Sequence, residues 1–263
     1  NSLLVFGGYG GAGFTRKDFN DLCALDLTSY QWTTLETTGE VPEARSGHRA
    51  VTVGTKMYVM GGWNTVKQFD DMYIFDTETA AWSKPESACG EESWGPCRWN
   101  FSAISIFAVP YWKIFVFGGN TGDLSDSARP QGTYKNDMQV LECTPEDPSW
   151  DRPDISGTIP KPRADSEVVY YPETGRLVLF GGWANRWYGD LYTCKVDEVV
   201  GPPYNVNKIE SFEWSNPIGP ITGDSKMSVF GEGFASVGVG ASASVRFACL
   251  KGFVEVSGEV VSD

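Results

Sequence analysis

Four short apolar runs, each closed by a pair of glycines, set the rhythm of this chain. They are Leu3-Leu4-Val5-Phe6-Gly7-Gly8, Met57-Tyr58-Val59-Met60-Gly61-Gly62, Ile114-Phe115-Val116-Phe117-Gly118-Gly119 and Leu177-Val178-Leu179-Phe180-Gly181-Gly182. After a polar loop, each run is followed by a strand-like stretch led by aspartate: Asn20-Asp21-Leu22, Asp70-Asp71-Met72-Tyr73, Asn136-Asp137-Met138 and Gly189-Asp190-Leu191-Tyr192. Trp32, Trp82 and Trp150 close the first three units, and the fourth has no tryptophan at that place. A further strand is predicted before each of the last three runs, over residues 47–53, 100–109 and 165–171. Short turns at 54–55, 110–111 and 172–175 join each of these strands to its apolar run.

Successive glycine pairs lie 54, 57 and 63 residues apart. That drifting period of about fifty is the size of one four-stranded propeller sheet, and a helical solenoid would not carry such β-rich runs. Strands that are apolar almost continuously must be covered on both faces, as in sheets packed face to face around an axis. Paired glycines let the backbone bend where sheets crowd together. Tryptophan on the outermost strand fills the wedge that opens between sheets with increasing radius. Because Asp21, Asp71, Asp137 and Asp190 recur at one place per unit, they are expected to share a structural duty. Turn and backbone hydrogen bonds at the strand start are the reading.

These residues resemble the kelch repeat, with its double glycine, its polar-Asp strand and its closing tryptophan. The link Pro42-Glu43-Ala44-Arg45-Ser46-Gly47-His48 also matches that family's Pro-x-x-Arg-x-Gly-His connection between blades. Two links depart from it, with Asn100-Phe101 and Asp165-Ser166 where Gly-His is expected. The resemblance covers residues 2–196 and implies about three and a half blades of a β-propeller. Since propellers close with four to eight blades, further blades are expected before Asn1. A strand from the true N-terminus is expected to complete the last blade.

From Pro202 the character changes. Asn216-Pro217-Ile218-Gly219-Pro220-Ile221-Thr222-Gly223 and Met227-Ser228-Val229-Phe230-Gly231-Glu232-Gly233-Phe234 resemble the opening of an IPT/TIG domain, an immunoglobulin-like β-sandwich. Val245-Arg246-Phe247 and Phe253-Val254-Glu255-Val256 are expected as later strands. The fold class is thus all-β, with propeller blades over 1–203 and a partial immunoglobulin-like sandwich over 204–263.

Composition narrows the function. The 30 glycines, 15 prolines and 14% aromatic residues suit short strands and tight turns. With 21 basic and 34 acidic residues the net charge is −13, which disfavours nucleic acid and anionic membranes as partners and favours other proteins. The six cysteines lack the close spacings of a zinc site or a disulfide framework. Cys23, Cys143 and Cys194 read as small buried hydrophobes, and Cys89 and Cys97 share one loop. A single histidine, His48, cannot build a multi-histidine centre and, lying in the blade link, is expected to make a structural hydrogen bond to backbone. No phosphate-binding loop or nucleophile elbow is present. No catalytic residue, metal or cofactor is therefore expected.

In an up-and-down blade, the loops between the second and third strands share one face with the links between blades. The long segments all fall there, namely residues 9–19, 63–69, 120–135 and 183–188, and the links 37–46, 86–99 and 152–163. Long loops on a rigid scaffold are where recognition is expected, and aromatic or arginine anchors carry it best. The candidates are Trp63, Asn64, Trp94, Arg98, Trp183, Arg186 and Trp187; residues 123–127 read as a solvated segment.

Taken with the resemblance, the expected function is a non-catalytic protein-interaction scaffold in a large cytoskeletal or ciliary axonemal assembly, in the cytoplasm. The resemblance also admits a substrate-recognition subunit of a ubiquitin ligase. A galactose-oxidase-like copper radical oxidase is disfavoured, because it needs two histidines and two tyrosines.

Overall fold

The computed structural model describes residues 2–90, 94–108, 111–122, 133–144 and 148–200, and beyond them the backbone of four strands within 208–259. The chain divides into two compact units, Asn1–Gly201 and Pro202–Asp263. The acidic segment at 123–127 and the Gly-Pro turn at 216–223 lie outside the described residues.

The first unit is four antiparallel sheets in series. Sheet one holds β1 (Ser2–Gly10), β2 (Lys17–Asp26) and β3 (Trp32–Thr34). Sheet two holds β4 (Thr38–Gly39), β5 (Arg49–Val53), β6 (Lys56–Met60), β7 (Met72–Asp76) and β8 (Ala81–Ser83), in the order β4-β8-β7-β6-β5. Sheet three holds β9 (Ser102–Ala108), β10 (Tyr111–Phe117), β11 (Met138–Cys143) and β12 (Ser149–Asp151). Sheet four holds β13 (Glu167–Tyr171), β14 (Arg176–Phe180) and β15 (Leu191–Lys195). The Gly-Gly runs are thus second strands and the Asp-led stretches third strands. Two details differ from expectation. The unpaired loop between the second and third strands of sheet one is 11–16 rather than 9–19, because β1 continues through its glycines to Gly10 opposite Lys17, with a register shift between Phe6 and Gly8. The short β4 adds in parallel outside β8.

Between consecutive sheets the apolar runs interlock. Phe6 and Leu22 of sheet one meet Met57, Val59, Phe75 and Trp82 of sheet two. The other face of sheet two gives Tyr58, Met60 and Met72 to Ile114, Val116 and Leu141 of sheet three. Phe115 and Val140 then meet Leu177 of sheet four, with Val196. Adjacent residues of one strand therefore serve different cores, which is why no polar position interrupts the run.

The closing tryptophans behave differently from one another. Trp82 is buried, its ring 5.1 Å from Phe6 and 5.0 Å from Phe75. Trp150 is half-buried and stacks on Trp94 at 5.3 Å. Trp32 is exposed, contrary to the wedge role expected of it, since no described sheet lies against its side of sheet one. Sheet four has no fourth strand among the described residues. After Lys195 the chain turns into the short helix Asp197–Val200, and Val196 donates its amide to the Gly175 carbonyl. A cleft of about 420 Å³ remains beside β15, lined by Phe115, Met138, Leu177, Leu179 and Cys194. Cys143 is buried, and burial pushes its thiol up to about 12; Cys23 and Cys194 are half-buried.

Among its described residues the second unit holds two antiparallel strand pairs. β16 (Lys208–Trp214) pairs with β17 (Met227–Glu232), and β18 (Ser242–Cys249) pairs with β19 (Gly252–Glu259). The latter pair covers both stretches expected as later strands.

Candidate functional site

A buried arginine stands at the base of the loops of sheets two, three and four. Arg45, Arg98 and Arg163, one per link, are each at most 1% exposed. Each lays its guanidinium fork on the aspartate that leads the third strand of its own sheet. Arg45 grips both oxygens of Asp71, Arg98 reaches Asp137 at 2.9 and 2.9 Å, and Arg163 reaches Asp190 at 2.5 and 3.0 Å. The same Nη1 donates to the carbonyl of the first glycine in the pair, Gly61, Gly118 or Gly181, at 3.0, 2.7 and 2.7 Å. Meanwhile the arginine's own carbonyl accepts the amide of the second glycine in the preceding sheet, Gly8, Gly62 or Gly119, at 2.8 Å each time. Every link arginine therefore staples two neighbouring sheets.

The double glycine follows from this staple. The first glycine of each pair has φ between 58° and 67°. A Cβ on Gly61 would lie 2.5 Å from the Arg98 carbonyl oxygen, and one on Gly118 2.6 Å from that of Arg163. Only glycine fits on both counts. The duty of Asp71, Asp137 and Asp190 is thus not the turn role expected but neutralisation of a buried cation in a bidentate pair, the strongest geometry available to arginine. The Arg163 hydrogen bonds hold Asp190 below the usual carboxylate range. For Asp137 burial pushes upward, and the Arg98 bonds and charge outweigh it. Asp21 has no such arginine among the described residues and contacts the Cys23 thiol instead. Turn formation falls to Asp26 and Asp76, whose Oδ1 atoms accept the amides of Thr28 and Ser29, and of Glu78 and Thr79.

The departures from Gly-His also gain a reason. Gly47, Asn100 and Asp165 occupy equivalent places with φ of 62°, 52° and 54°. Asparagine and aspartate are the residues, after glycine, that tolerate this left-handed backbone. These three form a ladder between sheets, in which the Asn100 amide donates to the Gly47 carbonyl at 2.7 Å and that of Asp165 to Asn100 at 2.8 Å. His48 packs edge-on to Phe6 at 5.5 Å with Nδ1 buried and unpartnered. Desolvation, with the charge of Arg45, pulls its pKa down to about 4 despite a hydrogen bond to the Phe6 backbone.

Above the arginines the loops are pinned at their bases. Phe69 lies 3.8 Å over the Arg45 guanidinium and Tyr188 4.2 Å over that of Arg163. Trp63 pairs with Ser46, and Trp183 with Ala164, by reciprocal backbone hydrogen bonds of 2.7–2.9 Å. Both tryptophans are half-buried, and Trp183 meets Trp187 at 4.9 Å. Asn64 shapes its loop, accepting the Val66 and Lys67 amides at 2.9 Å and donating to Ala44 at 3.2 Å. Two of the expected anchors are withdrawn. Arg98 is a staple, and Trp94 is buried under its own loop, donating Nε1–H to the Asp70 carbonyl at 2.9 Å. Arg186 and Trp187 remain at the loop tip, Trp187 being 75% exposed.

The structure adds tip residues that loop position alone did not single out. Phe14 stands fully exposed at the end of the β1–β2 hairpin, and Val66 is 83% exposed in the loop of sheet two. The signal was present as a large apolar residue midway between the aromatic residues that bound each loop, Tyr9 and Phe19 or Trp63 and Phe69. Among the described residues, no group of three or more His, Cys, Asp or Glu side chains is placed to hold a metal ion. No helix there is long and apolar enough to cross a membrane.

Serial antiparallel sheets, stapled near the strand ends and packed face to face, define β-propeller blades, and their glycine pairs, link arginines and aspartates make them kelch-type blades. Residues 1–126 match the KLHDC2/KLHL20/DRC7 Kelch-repeats domain. The chain is 30% identical over 244 residues to the flagellar outer-arm dynein alpha chain of Chlamydomonas reinhardtii, covering 87% of this chain and 5% of that one. Host cell factor 1 of Homo sapiens is 27% identical over 236 residues, 87% of this chain and 11% of its own length. Kelch domain-containing protein 3 of Bos taurus is 28% identical over 190 residues, 70% and 47% respectively. The chain thus spans less than half of each of these relatives. A solved structure, that of YjhT, superposes with a TM-score of 0.52 at 19% identity, covering 69% of this chain and 56% of the other, a likeness of fold alone.

Proposed function

We propose that this chain is a non-catalytic scaffold that holds other proteins on the loop face of its blades. The observation that carries this reading is the pairing of a rigid base with exposed tips. Arg45 and Arg163 fix the loops from below, while Val66 and Trp187 stand in solvent above them. Pre-ordered loops lose little entropy on binding, and aromatic or arginine tips make effective anchors.

The match to a flagellar dynein chain supports placing the scaffold in a cytoskeletal or ciliary assembly. The second unit, with the strand pairs β16–β17 and β18–β19, is assigned as the opening of an IPT/TIG-like sandwich that offers a second contact surface. The test is affinity purification with cross-linking mass spectrometry, comparing the natural chain with the double variant Arg186→Ala/Trp187→Ala. Loss of at least tenfold in recovered partner, with the thermal unfolding curve unchanged, is expected. Full partner recovery by the variant, or cross-links confined to the opposite rim, would refute the loop-face reading.

A further inference from the structure

Resting on the loop-face reading, we infer that the partner presents an acidic segment carrying large apolar side chains. The three described loops between second and third strands share one composition. Each combines an exposed apolar tip with a neighbouring cation: Phe14 with Arg16 and Lys17, Val66 with Lys67, and Trp187 with Arg186. Over residues 9–19, 63–69 and 183–188 the cations Arg16, Lys17, Lys67 and Arg186 are accompanied by a single carboxylate, Asp18. In a chain where acids outnumber bases 34 to 21, these three loops run against the overall charge, although the links on the same face carry Glu40, Glu43 and Asp154.

The local geometry leaves most of these cations available. Lys67 is engaged by Glu43 at 2.6 Å, whereas Arg16, Lys17 and Arg186 form no ion pair among the described residues. Lys17 lies over the Phe19 ring at 5.2 Å and Arg186 over Tyr188 at 5.0 Å, contacts that orient a cation without cancelling its charge. Neighbouring loops are tied together, since Gln68 Nε2 donates to the Gly122 carbonyl of the next sheet. That bond joins the loops of sheets two and three into one surface. Such a surface attracts an acidic segment over the Debye length of about 8 Å at physiological salt. It then retains the segment by covering Phe14 and Trp187.

Apolar tips flanked by cations are also a pattern for an anionic bilayer, but an extended bilayer meets the whole charge of −13, whereas a short segment meets only the charges within a Debye length of the loops. The test uses the full 263-residue chain and three fluorescein-labelled twelve-residue peptides, with repeats Glu-Leu-Glu-Phe, Lys-Leu-Lys-Phe and Glu-Ser-Glu-Ser, followed by fluorescence anisotropy. The Glu-Leu-Glu-Phe peptide is expected to bind at least tenfold more tightly than either other peptide. Arg16→Glu/Arg186→Glu should weaken it at least tenfold, and so should Phe14→Ser/Trp187→Ser. Lys56→Glu/Lys195→Glu, an equal charge change on the opposite rim, should leave it within twofold. Equal or better binding of the basic peptide, no measurable binding of any peptide, or indifference to the tip variants overturns the proposal. Co-sedimentation with phosphatidylserine vesicles but not with peptide overturns it in favour of a membrane surface. Should the peptides fail while partner recovery still depends on Arg186 and Trp187, the loop face stands and only the partner's chemistry is wrong.

Discussion

Sheets two and three are covered on both faces, whereas sheets one and four each leave one face open, although all four carry the same run of apolar residues. Val59 and Val116 are wholly buried, but their counterpart Val5 is 42% exposed. Met60 is buried, and its counterpart Phe180 is 57% exposed. Trp82 lies in a core while Trp32 stands in solvent. A single repeat thus specifies two sticky faces, and a neighbouring sheet converts stickiness into stability. The open faces, with Leu3, Val5 and Trp32 on one side and Val169, Tyr171 and Phe180 on the other, are the same chemistry without its complement.

The comparison breaks most sharply at the staples. Asp71→Ala would strand the buried Arg45 charge, and is expected to cost about 3–5 kcal/mol in denaturant unfolding followed by tryptophan fluorescence. Asp190→Ala should lose less than half as much, because the Asp190 side chain is 37% exposed and water can replace part of its role. Equal losses would mean that the two staples bear the same load despite their surroundings.

A smaller effect should come from pH. His48 is held neutral in the fold, with a pKa near 4 against 6.5 for the free side chain. Its contribution is therefore complete above pH 6.5 and is lost as pH falls through the folded value. A loss of about 2 kcal/mol between pH 6.5 and 4 is expected. His48→Phe should flatten that part of the profile, and an unchanged slope would assign the pH dependence to other groups.

The smallest difference concerns the cores themselves. Val59→Ala should destabilise by about 2 kcal/mol through lost burial and a residual cavity. Val5→Ala, at the equivalent place on an open face, should cost less than about 1 kcal/mol. Matching losses would show that Val5 is covered in solution.

Much of this architecture was legible in the sequence. Apolar runs, glycine pairs and leading aspartates located the second and third strands, and their period gave the number of sheets. Asp71, Asp137 and Asp190 were recognised as structural, but their partners were not, because Arg45, Arg98 and Arg163 lie 26 to 39 residues away along the chain. Of the anchors read from loop position, Arg186 and Trp187 stand at a tip, whereas Arg98 and Trp94 turn inward. Loop membership sets neither direction. A guanidinium or an indole goes where its hydrogen bonds and ring contacts are satisfied, and those partners come from neighbouring strands.

What the chain by itself determined is local: where strands start, where φ must be positive, and which residues water disfavours. Backbone sterics and side-chain solvation act within a few residues, so they are written in order along the sequence. The tertiary structure alone decided which apolar face is covered, which arginine is a staple and which tryptophan meets solvent. Each of those outcomes depends on groups distant in sequence that become neighbours only when sheets pack together.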